Sequence, residues 1–387
     1  MEGQEFAFNL NSNYGRQLVF IILSAVLILV ILAIDRRFYE TYSGIFYLVS
    51  MLSLAGLFIF GKNINGATSW YDLGSFSLQP SEFAKAATCL ALANFLNERG
   101  RDLKKLPTQL KSFSIILIPA VLITLQPDPG SALVYGALVF VFYVFGLPLF
   151  YLIIGFLAVT LFLVTLYFGY AVSLMITFGL FTLFFLVLFY YSKVYFRHNW
   201  LVVVSIYLFS ALFIFSVDYV YNNVFEQRHR DRFDIVLGKK KDDQGIGYNT
   251  NQSMITIASG GLTGKGFLQG DRTQGDFVPE QETDYIFSAV GEEWGFLGSL
   301  FVIVIFLGLM LRILYLAEKQ HSDFSRIYGY GVAAIFFFHF AINIGMTIGF
   351  APVIGIPLPF FSYGGSSLWG FTLLLFIFLK LDTNRNE

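Results

Sequence analysis

Apolar segments about as long as a membrane is thick recur along almost the whole sequence. A helix needs roughly 20 apolar residues to cross the hydrocarbon core of a bilayer, so segments of this kind strongly favour a bundle of membrane-spanning helices. Charged residues make up only 13% of the chain, whereas soluble domains usually carry about 25%. We therefore predict an all-α polytopic membrane protein. The net charge of −1 gives no reason to expect a nucleic acid partner.

Eleven of these segments are predicted to be transmembrane helices, at 17–34, 43–60, 79–97, 113–126, 131–146, 149–168, 172–191, 200–221, 284–316, 327–349 and 364–381. Short loops on one side, such as 98–111, are rich in lysine and arginine, which indicates the cytoplasmic side. The short loops on the other side contain a single lysine or arginine, Lys62. An odd number of helices leaves the N terminus outside unless an earlier helix is missing, and the missing helix is the interpretation that we favour.

One long polar segment, 222–283, is predicted to form a large folded loop on the outer side. Near its start, EQRHRDRF carries Arg228, Arg230 and Arg232. Such a charge run is usually solvated, but arginine also suits phosphate recognition because its donors form a planar fork. Further along, SGGLTGKGF contains Lys265 and looks like a phosphate-binding loop. It lacks the GxxxxGK[ST] spacing, so we do not predict a nucleotide site.

Two motifs place charged residues at the outer ends of predicted helices. In GATSWYDLGSFSLQPSEFAKAA, Pro80 suits the first helical position and Glu82 is placed to pair with Lys85 at i, i+3. A helix start does not explain Lys85 itself, because ionisable groups inside a membrane usually mark function. In QPDPGSALV, Asp128 lies between two prolines, where capping of the next helix and a functional role are both compatible with the pattern.

Three acidic residues, Glu280, Glu282 and Asp284, precede the longest apolar segment in PEQETDYIF. Thr283 is a candidate cap for that helix, which would place Asp284 in the first turn, where the helix dipole favours a carboxylate. A carboxylate at this place can stay ionised. The motif therefore predicts an anionic group at the membrane surface.

Glu292 and Glu293 follow about two turns deeper in the same helix. Buried carboxylates need partners, and the candidates are Lys85, the arginines of the long loop or a cation.

Irregular backbone is predicted at the outer surface for GFAPVIGIPLPFFSYGGSS, which contains three prolines and four glycines. Such backbone is tolerated at that depth only when it is buried in protein or lines a cavity. Ser366 and Ser367 then begin the last helix, whose free N–H groups suit an anion. All the polar motifs therefore converge on the outer face, which suits a lipid-linked anionic substrate.

Five motifs, taken together, resemble the SEDS family (shape, elongation, division and sporulation). They occur in the family's order, and the resemblance runs from about residue 16 to 381. The motifs are GATSWYDLGSFSLQPSEFAK, QPDPGSALV, GYNTNQSMITIASGGLTGKGF, VPEQETDYIFSAVGEEWGFLG and PVIGIPLPFFSYGGSSL. The resemblance is greatest to the branch that acts in cell elongation. Relative to the family, the first helix looks absent and a helix pair within 149–221 looks inserted.

The resemblance implies a multi-pass enzyme of the bacterial cytoplasmic membrane that consists of one SEDS-type transmembrane domain, 1–387. It would be a peptidoglycan glycosyltransferase that polymerises lipid II on the periplasmic or outer face. Its partner would be a class B penicillin-binding protein, the transpeptidase that cross-links the strands. The alternatives that stay open are a lipid II flippase, a non-catalytic scaffold and the division-specific branch of the family. A flippase should carry polar groups through the whole membrane thickness, whereas most of those here cluster outside.

The family's essential aspartate matches Asp284, which the resemblance implies is the base that takes the proton of the attacking sugar hydroxyl. Positive charge for the leaving pyrophosphate would come from Arg232, Lys85, Lys265 or a divalent cation, Mg²⁺ or Mn²⁺, with no organic cofactor. Metal dependence itself stays open. The same motifs add further substrate-binding candidates, namely Trp70, Glu82, Asp128, Glu280, Ser362, Gly364 and Gly365.

Overall fold

The computed structural model describes residues 12–64, 66–74, 76–191, 193, 200–225, 227–240 and 246–383. The first eleven residues and the side chain of Arg228 lie outside the described part. The helices are α1 Asn13–Ala33, α2 Arg36–Phe60, α3 Pro80–Asn97, α4 Leu106–Thr124, α5 Pro129–Val134, α6 Val139–Val144, α7 Phe150–Phe168, α8 Tyr170–Tyr191, α9 Trp200–Asn223, α10 Gln227–Val236, α11 Ile246–Ser259, α12 Asp271–Gln274, α13 Ile286–Glu318, α14 Asp323–Thr347 and α15 Gly365–Thr383. A 3-10 turn, Tyr135–Leu138, joins α5 to α6.

The predicted helical membrane protein is confirmed, because nine helices in the described residues are long and apolar enough to cross a bilayer. These are α1, α2, α4, α7, α8, α9, α13, α14 and α15. Each of the eleven predicted segments contains helix, but α3 is less apolar and the α5–α6 segment is short and interrupted. The number of eleven crossings therefore stays a prediction.

A small antiparallel sheet, which the sequence analysis did not predict, follows α2. Its strands are β1 Lys62–Ile64, β2 Ala67–Asp72 and β3 Ser77–Leu78, in the order β1-β2-β3. The N–H of Thr68 in β2 donates to the carbonyl of Gln126 at 3.1 Å. This bond fastens the sheet to the end of α4.

Two compact units make up the chain. The first comprises residues 1–147 and 249–387. At its centre lies α3, which packs against α2, α4, α14 and α15. Because protein helices rather than lipid surround α3, it can carry alanine, threonine and charged residues where the outer helices carry leucine and phenylalanine.

The second unit comprises residues 148–248 and contains α7, α8, α9 and α10. Helices α7, α8 and α9 pack against one another in pairs and leave much of their apolar surface exposed, as lipid-facing helices do. The interpretation of 149–221 as an inserted pair stays a prediction. Within the polar segment 222–283, the described residues form three helices, α10, α11 and α12. The outer location of that segment stays a prediction.

Candidate functional site

Asp284 lies in a tight turn immediately before α13. The backbone N–H groups of Thr283, Asp284 and Tyr285 donate to the carbonyl of Glu280 at 3.2, 3.0 and 3.2 Å. Since this one carbonyl takes all three N–H groups, the helix begins only at Ile286. The prediction that Thr283 caps the helix with Asp284 in its first turn is therefore wrong. The Thr283 hydroxyl instead donates to the Glu280 carboxylate at 3.0 Å.

Two side chains from other elements fix the backbone of this turn. The Ser362 hydroxyl donates to the carbonyl of Thr283 at 2.6 Å, and the amide of Asn343 donates to the carbonyl of Asp284 at 2.9 Å. Ser362 is 4% exposed and Asn343 is fully buried. The main chain of Asp284 is thus held rigidly, while its side chain is half-buried and reaches the surface.

Glu282 is fastened to the same surroundings. Its carboxylate accepts a hydrogen bond from the Asn13 amide of α1 at 2.8 Å, and its carbonyl accepts from the N–H of Tyr363 at 2.8 Å. Glu282 therefore serves as a link between α1 and the loop that precedes α15.

The segment 348–364, which joins α14 to α15, passes directly over the carboxylate of Asp284. A Cβ atom added at Gly355 would lie 3.5 Å from Asp284 Oδ2, and Gly355 has a positive φ of 68° that favours glycine. One residue earlier, the carbonyl of Ile354 is so close to Gly130 that a Cβ there would lie 2.1 Å from the oxygen. The close approach at Gly130 is therefore possible only for glycine.

The next two residues of the 348–364 segment are held by α14. The amide of Asn343 donates to the carbonyl of Ile356 at 2.8 Å. One helical turn away, His339 Nδ1 lies 3.0 Å from the carbonyl oxygen of Pro357. The carbonyls of two consecutive residues thus contact two polar side chains that lie one turn apart on the same face of α14.

His339 also reaches a buried ion pair on α3. Lys85 Nζ donates to Glu82 at 2.8 Å and lies 2.9 Å from His339 Nε2. All three side chains are buried, with 1 to 2% of each residue exposed. The Lys85 ammonium also lies 5.0 Å from the centre of the Phe371 ring. The predictions that Pro80 begins the helix and that Glu82 pairs with Lys85 are confirmed.

Asp128 caps α5, which confirms the capping that its sequence motif allowed. Its Oδ1 accepts from the N–H of Ser131 at 3.0 Å. Its Oδ2 accepts from the Gln79 side chain at 3.2 Å, and the N–H of Gln79 donates to the Ser366 hydroxyl at 3.0 Å. Asp128 is therefore connected through Gln79 to the first turn of α15. A contact with substrate stays a prediction for Asp128.

Gly364 immediately precedes α15, and Gly365 is its first residue. A Cβ at Gly365 would lie 2.9 Å from the ring of Phe20, so glycine allows α1 and α15 to approach closely. Gly364 has a φ of 150°, and its N–H lies 3.3 Å from Gln17 Oε1. Substrate binding by Gly364 and Gly365 stays a prediction.

Two further candidates lie in separate parts of the structure. Trp70 is half-buried in β2, where it pairs with Lys62 across the sheet. Arg232 lies in α10, within the unit 148–248. Their contacts with substrate stay predictions.

Glu292 finds its partners in the loop that follows α11. Its fully buried carboxylate accepts from Lys265 Nζ at 2.7 Å, from the N–H and hydroxyl of Thr273 at 2.7 and 2.6 Å, and from the N–H of Arg272 at 3.1 Å. Of the predicted partners, Lys85 is wrong, because the ammonium is supplied by Lys265. The carboxylate of Glu292 in turn raises the pKa of Lys265 above its usual range.

The glycines of SGGLTGKGF allow this loop to pack on a break in α13. The break is at Gly295, whose φ is 63° and ψ is −161°. Beyond it, the N–H of Phe296 donates to the carbonyl of Gly261 at 2.9 Å. A Cβ at Gly264 would lie 2.1 Å from the carbonyl oxygen of Glu293. The glycines thus have a packing reason that requires no phosphate.

Within the described ranges, no group of three or more histidine, cysteine, aspartate or glutamate side chains is arranged to hold a metal ion. A cation near Asp284 would therefore need oxygen ligands from elsewhere, such as a substrate pyrophosphate.

Sequence reasoning missed His339, Asn343 and Gly355. A signal for the first two was present, since they are the two polar residues of the apolar stretch 331–346, lie four apart and therefore share one helix face. No local signal identifies Gly355 among its neighbouring glycines and prolines, because its importance depends on contact with Asp284.

The chain is similar to known proteins over almost its whole length. The family model described as "Cell cycle protein", for FtsW, RodA and SpoVE, matches residues 3–177 and 158–387. The peptidoglycan glycosyltransferase RodA of Treponema pallidum (strain Nichols) is 33% identical in an alignment 403 positions long. The alignment covers 98% of this chain and 91% of the relative. The peptidoglycan glycosyltransferase MrdB of Escherichia coli (strain K12) is 32% identical over 369 residues, covering 94% and 84%.

A solved structure agrees in fold. It is a chain from "Structural coordination of polymerization and crosslinking by a peptidoglycan synthase complex", with a TM-score of 0.70, 28% identity, and coverage of 96% of this chain and 90% of that one. The motifs, the fold and the sequence similarity agree. The chain belongs to the FtsW, RodA and SpoVE family of cell cycle proteins, which is the SEDS family that its motifs resemble.

Proposed function

We propose that this protein is a peptidoglycan glycosyltransferase that polymerises lipid II into glycan strands during cell elongation. The observation that carries the proposal is the position of the half-buried Asp284 carboxylate against Gly355. Two residues further along, Pro357 contacts His339 and thereby the buried Lys85–Glu82 pair. Support comes also from RodA and MrdB, both named peptidoglycan glycosyltransferases.

In this reaction the 4-hydroxyl of an acceptor sugar attacks the anomeric carbon of a donor sugar. The bond from that carbon to the lipid pyrophosphate breaks, and the pyrophosphate leaves with the electron pair. Asp284 accepts the hydroxyl proton, a role that typically contributes about 10²–10⁴-fold to the rate. The hydrogen bonds from Ser362 and Asn343 fix the main chain that carries the carboxylate, which lowers the entropic cost of alignment.

Positive charge for the leaving pyrophosphate has three candidate sources in this chain. Lys85 and Lys265 already neutralise Glu82 and Glu292, so each offers an anion less net charge than an isolated ammonium would. Arg232 has the planar donor fork that suits pyrophosphate, and it remains part of the proposal on that ground.

A divalent cation, Mg²⁺ or Mn²⁺, remains a further proposal. Magnesium is commonly bound by one or two carboxylates together with substrate phosphates. Asp284 and Glu280 are the carboxylates that would hold it, since Asp284 lies in the turn closed by Glu280. Such a cation would supply positive charge near the leaving group, and no step above depends on it.

The reaction is proposed for the periplasmic or outer face of the cytoplasmic membrane, because lysine and arginine concentrate in the opposite loops. A class B penicillin-binding protein is the proposed partner. The structure of the peptidoglycan synthase complex, to which this chain is similar, supports an assembly of that kind.

The test is polymerisation of fluorescent lipid II by the purified protein together with its class B partner, read as glycan length on a gel. We expect abundant polymer from the wild type and a large loss of polymer in Asp284→Asn. Lipid II flipping without polymer would favour the flippase alternative. Undiminished polymer from Asp284→Asn, with the complex intact, would favour the scaffold.

A further inference from the structure

His339 is the side chain that connects the candidate site to the centre of the bundle. It projects from α14, is 1% exposed, and its two ring nitrogens contact different elements. Nδ1 lies 3.0 Å from the carbonyl oxygen of Pro357, and Nε2 lies 2.9 Å from Lys85 Nζ. Its ring meets Phe371 edge-on, with 4.8 Å between the ring centres.

These two contacts select one tautomer of the imidazole. A carbonyl oxygen can only accept, so Nδ1 must carry the hydrogen that Pro357 receives. The Lys85 ammonium, held at 2.8 Å from the Glu82 carboxylate, can only donate, so Nε2 must be unprotonated. An imidazolium would place a second buried cation beside Lys85. The neutral Nδ1–H form is therefore the state that satisfies both neighbours.

Asn343, one turn along the same face of α14, connects this arrangement to Asp284. Its amide donates to the carbonyls of Ile356 and Asp284 at 2.8 and 2.9 Å. Because Ile356 and Pro357 are consecutive, α14 holds neighbouring carbonyls with two side chains. Any displacement of His339 is therefore transmitted to the segment that lies against the Asp284 carboxylate.

We propose that His339 is a positioning residue for glycosyl transfer. Its Nδ1–H group holds Pro357, and its bare Nε2 accepts from Lys85. The Lys85–Glu82 pair is thereby kept in a fixed relation to Gly355 and Asp284. This inference rests on the proposed function, and it assigns His339 no contact with substrate and no part in proton transfer.

Two substitutions separate the contacts of His339. In His339→Gln the side-chain amide can place an oxygen near the position of Nε2, where it accepts from Lys85. In His339→Asn the amide group lies near the position of Nδ1, so it can donate to Pro357 but is too short to reach Lys85. Asparagine is smaller than glutamine by one methylene group, so the melting temperatures of the two variants show how much of any loss comes from packing. His321→Gln, at an exposed histidine before α14, is the matched control.

The variants are compared for kcat and KM in lipid II polymerisation with the class B partner, and for thermal stability. We expect His339→Gln, which loses the neutral bond to Pro357, to lose about threefold in kcat. His339→Asn loses the stronger bond from the charged Lys85, and we expect it to lose about tenfold or more. KM should change little. The melting temperature should fall by a similar amount in both variants, since each leaves one buried polar group without its partner. Wild-type turnover in His339→Asn, equal losses of kcat in both variants, or a loss of kcat in His339→Asn that merely follows a larger fall in its melting temperature would overturn the proposal.

A second measurement does not depend on activity. In the wild type labelled with ¹⁵N-histidine, we expect the His339 signal, assigned by its loss in His339→Gln, to show protonated Nδ1 and unprotonated Nε2. Lys85→Met should shift the Nε2 resonance more than the Nδ1 resonance. A protonated Nε2 in an active wild type overturns this inference alone. Absence of polymer from the wild type overturns the proposed function, and with it the reaction assigned to His339.

Discussion

Gly355 lies beside the Asp284 carboxylate, and a Cβ atom at position 355 would lie 3.5 Å from Oδ2. That distance is ordinary van der Waals contact, so a methyl group would fit there. It would also occupy the space beside the carboxylate that a sugar hydroxyl must enter.

For this reason we expect Gly355→Ala to impair activity more than stability. The positive φ of 68° costs a residue with a Cβ about 1–2 kcal/mol. Misplacement of the acceptor should lower kcat/KM by about tenfold to hundredfold. Gly44→Ala in α2 is the control, because nothing lies within 4 Å of its added Cβ. Equal effects at the two positions would contradict the steric role of Gly355.

Asn343 should be required for the geometry of Asp284, because it holds two carbonyls at once. Asn343→Leu removes the side-chain donor from both carbonyls, and we expect a loss of about 1–3 kcal/mol in stability together with lower turnover. Asn343→Asp is similar in shape but, when ionised, faces two oxygens with no hydrogen to donate. It should therefore be worse than leucine in melting temperature and kcat. A better-tolerated aspartate would show that donation by Asn343 is unimportant.

Glu292 should stabilise the loop that follows α11 rather than take part in chemistry. Glu292→Gln removes the charge that holds Lys265, and we expect faster hydrogen exchange and proteolysis within 259–275, with polymerisation reduced but measurable. Asp271→Asn is the matched control, because Asp271 contacts Lys265 at 3.1 Å but its side chain is 86% exposed. Complete loss of polymer with an unchanged loop would instead indicate a catalytic Glu292.

Local sequence patterns predicted much of the fold and only part of the site. Apolar segments specify membrane helices because the bilayer requires them, and the spacing of Glu82 and Lys85 specifies their pairing on one helix face. The contact between Lys85 and His339 joins residues 254 positions apart, and no local rule reaches that far.

One wrong prediction and one ambiguous motif have the same physical origin in main-chain contacts. The start of α13 was predicted two residues early because the carbonyl of Glu280 takes the N–H groups of the preceding turn. The glycines around Lys265 looked like a phosphate-binding loop, although their role is to pack closely on the break at Gly295. In both cases a main-chain contact determines the local structure, and the pattern of side chains in the sequence does not predict that contact.

Alanine variants can distinguish the role of Arg232 from that of its neighbour Arg230. If its guanidinium binds pyrophosphate, Arg232→Ala should lower kcat and raise KM for lipid II, because a charged donor to the leaving group is lost. Arg230→Ala is the control, since Arg230 is placed 3.4 Å from the carbonyl of Asn222 in the same unit. Small and equal effects from both would identify the run as a solvated charge cluster.

The three acids before α13 should differ sharply in what their removal does. Asp284→Asn preserves the turn, because the turn is closed by main-chain bonds to Glu280, but the amide cannot take up a proton at neutral pH. We expect polymerisation to fall by about 10²–10⁴-fold, with the complex and the melting temperature unchanged.

Glu280→Gln should lower polymerisation less, since its side chain can still accept from Thr283. A larger loss of polymerisation at low Mg²⁺ concentration would indicate that Glu280 is a cation ligand. Glu282→Gln can still accept from Asn13, so it should remain near wild type. Polymer lengths and initial rates of the three variants, measured side by side, distinguish these roles. If Glu280→Gln abolishes synthesis while Asp284→Asn retains it, the base is Glu280 and the geometry around Gly355 has another purpose.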